Sequence, residues 1–91
     1  MISRRPKSQI YLDILNSVQK NGKMKKTHIM YAANLTHKRL EKYLNLLLIN
    51  NFLEITNTKN QMYYALTKQG YKFLAEIRKL KKFSEAFGIS L

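Results

Sequence analysis

A chain of 91 residues holds one small domain rather than two, and 45% apolar content with six tyrosines and four phenylalanines argues against a disordered basic tail. Seventeen lysines and arginines against five acids give a formal net charge of +12, which opposes compaction and attracts polyanions, nucleic acid first and an anionic membrane surface second. The absence of cysteine excludes disulfides and thiolate metal sites, and the longest apolar run, Leu46 to Ile49, is far too short to span a bilayer.

The N-terminal stretch MISRRPKSQI is charged, with no apolar segment after it to act as a signal peptide. Residues 1–7 read as a basic arm. Pro6 stands ahead of a helical pattern, and Ser8 is the expected N-cap of a first helix from about Ser8 to Lys20. Ile10, Ile14, Leu15 and Val18 recur at helical spacing with Tyr11 beside them, while Gln9, Asp13, Asn16 and Gln19 point away. Gly22 sits where helices commonly end on a left-handed residue. A short second helix, His28 to Ala33, is expected to be capped by Thr27 and to bury Ile29, Met30 and Ala33. Asn34 and Leu35 make a turn, and Thr36 caps a third helix over about 36–49.

That third helix has two unlike sides. Leu40, Tyr43, Leu44, Leu47 and Leu48 share one face, Lys38, Lys42 and Asn45 the opposite one, and Arg39 a flank. Asn50 and Asn51 break the pattern. Alternation at Leu53 and Ile55, and again at Met62, Tyr64 and Leu66, predicts two strands around the polar turn Asn57, Thr58, Lys59, Asn60. Thr67 then caps a last helix to about Phe87. Phe73, Ile77, Leu80, Ser84 and Phe87 recur along it, and Leu74 and Phe83 widen the stripe. Three helices, a hairpin and a long C-terminal helix make a mainly α (α+β) winged helix-turn-helix plan. The expected parts are an arm over 1–7, a winged domain over 8–67 and a C-terminal helix over 68–91, with the wing tip at about 56–61.

A recognition helix needs one buried face to hold it and one free face of donors that can enter a major groove. Residues 36–48, THKRLEKYLNLLL, divide in that way. Lys38 and Arg39 are the candidates for guanine N7 and O6, and Asn45 for adenine. Thr36 and Lys42 are expected to hold phosphates, and His37 shares the first turn, where free backbone N–H groups favour an anion. A charged outer face is also what any solvated amphipathic helix presents. Three features favour the binding reading: only Glu41 offsets the cations, a short helix and tight turn precede the helix, and a polar wing follows it. Lys59 in the wing, Lys25 and Lys26 at the start of the second helix, and Arg4 and Arg5 in the arm are further candidates for DNA contact.

No chemistry beyond binding is evident. The two histidines lack partners for a metal site, the five acids are scattered, and no cofactor or small-molecule motif occurs. Met24, Met30 and Met62 are expected as core fillers, and the tyrosines, Tyr63 excepted, fall mainly on apolar faces. The second half of the last helix, with Leu80, Phe83 and Phe87, is expected to project beyond so small a body and to pack antiparallel on a second copy through Phe73, Ile77, Leu80, Phe83, Ser84 and Phe87.

Residues 27–55, THIMYAANLTHKRLEKYLNLLLINNFLEI, followed by YYALTKQGYKFLAEI, resemble the small winged-helix DNA-binding proteins of crenarchaea and their viruses. Thr27, Ile29, Met30, Tyr31, Ala33, Asn34, Leu35 and Thr36 match the family's pattern. So do Tyr43, Leu44 and Leu47 in the next helix, and Tyr64, Leu66, Thr67 and Gly70 at the strand-to-helix junction. The resemblance implies sequence-tolerant or operator DNA binding by a homodimer joined through an antiparallel coiled coil. Here Gly88 stops the last helix earlier than in members with long coiled coils. The function expected is therefore double-stranded DNA binding by a homodimeric transcription regulator in the cytoplasm, at the nucleoid or in a viral host. An architectural chromatin-like protein and a module for an acidic protein partner are the alternatives. An RNA binder is disfavoured because no cluster of exposed aromatics is evident for stacking bases.

Overall fold

The computed structural model describes residues 5–89, in the order α1 (Lys7–Asn21), α2 (Lys26–Ala33), α3 (His37–Ile49), β1 (Leu53–Thr58), β2 (Gln61–Leu66) and α4 (Lys68–Ala86). β1 and β2 pair antiparallel, Leu53 opposite Leu66 and Thr58 opposite Gln61. The order and class are those expected.

α1 is the hub, touching α2, α4 and β2. It therefore buries more than one stripe: Leu12 joins Ile10, Ile14, Leu15 and Val18 in the core. It starts earlier than expected. Pro6, not Ser8, precedes it, and the Pro6 carbonyl accepts from Gln9 N at 3.0 Å and Ile10 N at 3.2 Å. Proline's locked φ presets this entry without a side-chain cap.

α2 departs from expectation in the same sense. Thr27 lies inside the helix, and extended Lys25 stands at its cap position. The cause is tertiary. Met24 makes an antiparallel bridge to Tyr64, N to O at 3.0 Å and O to N at 2.8 Å, and so delivers the chain to α2 already extended. Burial raises the pKa of the Tyr64 hydroxyl above its ordinary value, and that of Tyr11 too, where Tyr43 adds to the effect.

Asparagine ends both helices of the helix-turn-helix. Asn34 is left-handed, and Leu35 N reaches back to Met30 O at 3.1 Å; Asn51 has φ 61°, and Phe52 N reaches Leu47 O at 2.8 Å. Both are the six-to-one closure that a left-handed residue permits, with an apolar residue folded back over the last turn. Thr36 and Thr67 cap as expected: Thr36 Oγ1 accepts from Arg39 N at 3.3 Å, and Thr67 Oγ1 accepts from Gly70 N at 2.9 Å.

The hairpin leaves the body after its first residue pairs. Leu53 and Leu66 are buried, but Ile55 and Met62 are about half exposed. Met62 is thus not a core filler, since its register opposite Asn57 places it beyond the reach of α1. Met24 is buried and Met30 packs at the core's edge, as expected. The loop is two residues long, Lys59 and Asn60, both at positive φ (50° and 65°), a type I′ turn within the expected polar stretch.

α4 runs antiparallel to α1 and stays on it. Arg78 donates to Asn16 Oδ1 and Gln19 Oε1, and three residues later Lys81 donates to Gln9. The expected projection of its second half beyond the body is therefore not seen as far as Lys81. Phe73 stacks on Phe52 with ring centroids 4.1 Å apart, and Ile77 is buried. Ser84 is buried as well, with its hydroxyl donating to the Ile89 carbonyl. Phe73, Ile77 and Ser84 thus pack within the domain, whereas Leu80, Phe83 and Phe87 remain exposed.

Candidate nucleic-acid interface

α3 is clamped by four buried side chains, Leu40, Tyr43, Leu44 and Leu47. Its other side presents His37, Lys38, Arg39, Lys42 and Asn45 to solvent, with Thr36 at its head. The helix is rigid because the leucine face is packed, and its cations are exposed because, among the described residues, none covers them. Replacing Thr36 with alanine removes the hydroxyl that caps the Arg39 N–H and is expected to cost about 1 kcal/mol of stability, measurable by urea unfolding.

The single acid of this helix is neutralised from behind. Glu41 pairs with Lys26 at the start of α2, and His37 Nε2 lies 3.9 Å from the same carboxylate oxygen. Lys26 therefore ties the two helices of the motif together and is less available for an outside anion than expected. Lys25, beside it, is half-buried. Lys25, Lys26 and Thr27 form one wall of an open cleft of about 290 Å³, and Gln61 and Met62 at the wing form the other. The start of α2 and the wing thus border one basic depression.

Lys59 stands at the tip of the wing, exposed. Lys23 braces the hairpin: its ammonium lies 4.6 Å from the centre of the Tyr63 ring and 3.5 Å from Thr58 Oγ1. The arm divides. Arg5 is drawn onto its own domain, where it pairs with Asp13 at 2.7 Å and donates to the Asn34 carbonyl at 3.1 Å. It pins the turn of the motif, so its expected role as a free arm residue has a competitor within the fold. Arg4 lies outside the described residues.

Two exposed side chains at this surface escaped the sequence reading. Tyr31 on α2 is 77% exposed, against the expectation that tyrosines fall on apolar faces. The signal was present: with Ile29 and Ala33 turned inward, a residue two positions from each must turn outward. Lys23 is the other, and only the pairing of Met24 with Tyr64 brings it to the wing. Among the described residues no group of three or more His, Asp or Glu is placed to hold a metal ion, and no helix is long and apolar enough to cross a membrane.

Residues 4–85 match the model of a winged helix-turn-helix family. The chain belongs to that family. Over 77 residues this winged helix-turn-helix chain is 40% identical to an uncharacterized protein of Methanocaldococcus jannaschii; the match covers 85% of the chain and 34% of the relative, so the chain spans about a third of that relative's length. The fold is similar to Sso10a-2, a DNA-binding protein from Sulfolobus solfataricus, with a TM-score of 0.82 and 25% identity over 91% of this chain and 85% of that one. It is also similar to a MarR family transcriptional regulator from Silicibacter pomeroyi, with a TM-score of 0.73 and 20% identity over 87% and 56% of the two chains. The resemblance to small archaeal winged-helix proteins drawn from the motif residues is borne out.

Proposed function

We propose that this protein binds double-stranded DNA as a homodimeric transcription regulator, with α3 in the major groove and the wing on the adjacent backbone or minor groove. The observation that carries the reading is the free cationic face of α3, packed rigidly from behind, whose one acid is already paired with Lys26. Lys38 and Arg39 are assigned to guanine edges and Asn45 to adenine, with Thr36, His37 and Lys42 on phosphates. Tyr31, exposed on α2, offers a further hydroxyl on the helix that precedes α3. Lysine at a left-handed turn position is conformationally costly, and its place at the wing tip supports a contact role for Lys59. Lys25 acts as a secondary phosphate contact, and Lys26 and Arg5 do so once Glu41 and Asp13 are exchanged for DNA.

Selection from random duplexes, followed by titration across a salt series, tests the function. A regulator is expected to prefer some site by at least ~10³ over random DNA, with affinity falling steeply as salt rises. Equal affinity for unrelated duplexes replaces the regulator with an architectural protein. No binding near physiological salt favours an acidic protein partner.

The dimer reading rests on Leu80, Phe83 and Phe87, an apolar flank of α4 that its own core leaves uncovered. Phe83 and Phe87 already lie against each other, ring centroids 4.7 Å apart, and so form one raised patch. The wild-type protein is expected to sediment as a dimer, and Phe83→Ser/Phe87→Ser as a folded monomer. A wild-type monomer at micromolar concentration would remove the homodimer from the proposal.

A further inference from the structure

α4 has a third face that neither the α3 interface nor the dimer flank uses. Its inner side, Gly70, Leu74, Ile77 and Ser84, packs on the domain, and Leu80, Phe83 and Phe87 form the apolar flank. The side turned away from the core carries Lys68, Lys72, Lys79 and Lys82, all exposed, with Ala75 and Ala86 on the same side. Like charges one turn apart, such as Lys68 and Lys72, repel, and solvated helices commonly offset them with acids. Here the offset is slight. Glu76 lies 3.4 Å from Lys79, but both side chains are at least 70% exposed, and a pair so open to water is weak. Arg78 and Lys81 turn toward α1 and meet neutral acceptors, Asn16, Gln19 and Gln9, so their charge also stays uncompensated.

We propose that this lysine stripe is a second duplex-binding surface, which grips the phosphates of one DNA segment while α3 holds another. The inference rests on the reading of the chain as a DNA binder. Lys68 and Lys82 are about 21 Å apart along the helix at 1.5 Å per residue, close to six base steps of 3.4 Å along one strand. The alanines leave the helix open to close approach. α4 packs on α1 and β2 while α3 packs on β1, and both cationic faces turn away from the shared core. The proposal places one duplex along α3 and another along the stripe. The side chains also select the partner. A membrane-bound helix needs large apolar residues to insert beside its lysines, and a single strand needs aromatics on which to stack bases. The stripe itself has alanines, with Tyr71 at one edge and at the other Phe83, which the dimer flank uses.

Two surface variants of the full chain separate the faces: Lys38→Ala/Arg39→Ala/Lys42→Ala on α3, and Lys68→Gln/Lys72→Gln/Lys79→Gln/Lys82→Gln on α4. The α3 variant is expected to retain duplex binding with a log–log salt slope of about −3.6, the value for four phosphate contacts, and the combined variant to lose it. The α4 variant alone is expected to capture a labelled second duplex on a duplex-coated surface about tenfold less well than wild type. The proposal is overturned if the α3 variant binds no better than the combined one. It is overturned equally if the α4 variant bridges as wild type does, since the two recognition helices of a dimer then suffice. Binding of wild type to phosphatidylserine vesicles that the α4 variant loses, without second-duplex capture, overturns it in favour of a membrane. If the α3 variant binds as wild type does while the combined variant does not, the α3 assignment fails and the stripe stands.

Discussion

Replacing Gly70 with alanine is expected to destabilise the domain by about 3 kcal/mol, the upper part of the range for overpacking a tight site. In an open helix the same change would stabilise by about 1 kcal/mol, because alanine is the better helix former. Here a Cβ would meet the Phe52 carbonyl oxygen at 2.0 Å and Leu66 Cδ2 at 2.8 Å. The leucine tip can rotate away, but the carbonyl cannot. Phe52 O accepts from Thr67 N at 3.2 Å, and Asn51 O accepts from the Thr67 hydroxyl at 2.5 Å, so the end of α3 and the start of α4 are stitched together at this contact. Urea unfolding, or a melting temperature lower by about 12 °C or more, reads the effect. An unchanged or raised midpoint would show that the two helix ends can separate, and that the packing described at this junction is wrong.

Arg39→Ala is expected to weaken binding to the preferred duplex by about 1–3 kcal/mol and to relax the preference at one base pair, as the loss of a bidentate guanine contact does. Lys42→Ala, one turn further along the same exposed face, is expected to weaken all duplexes alike and to lower the salt slope by about 1. Neither side chain packs in the core, and the Arg39 group bonded to Thr36 is its backbone N–H, which alanine retains. Both variants should therefore melt close to wild type, so that affinity changes report on contact with DNA. If neither change alters binding, α3 is not the recognition helix.

The parts of the fold that were legible in the sequence are those whose cause lies within a few residues. The two faces of α3 follow from helical periodicity, and all four of its buried residues were expected inside. Thr36 and Thr67 cap because a threonine oxygen three residues ahead of a free N–H has one obvious partner. The hairpin turn follows from a polar stretch between two alternating segments.

The errors at α2, at Arg5 and along α4 have a common origin in contacts that form only in the folded chain. Nothing near Thr27 reveals that Met24 pairs with Tyr64 and starts α2 earlier. Nothing near Arg5 reveals Asp13 and the Asn34 carbonyl together. Periodicity alone predicts one set of dimer residues on α4, yet α1 lies along the helix and the Phe52 ring takes Phe73, which splits the set into an inner and an outer part.

By itself the sequence determined the order of elements, the threonine caps of α3 and α4, the inward and outward sides of α3 and the excess of positive charge, because propensity, period and charge are local or additive properties. Only the tertiary structure decided which cations are spent on partners of the same chain, which aromatics stay uncovered, and why a glycine stands at position 70. Those depend on which surfaces approach, and an approach such as that of the Phe52 carbonyl to Gly70 exists only once α3, the hairpin and α4 are closed around one core.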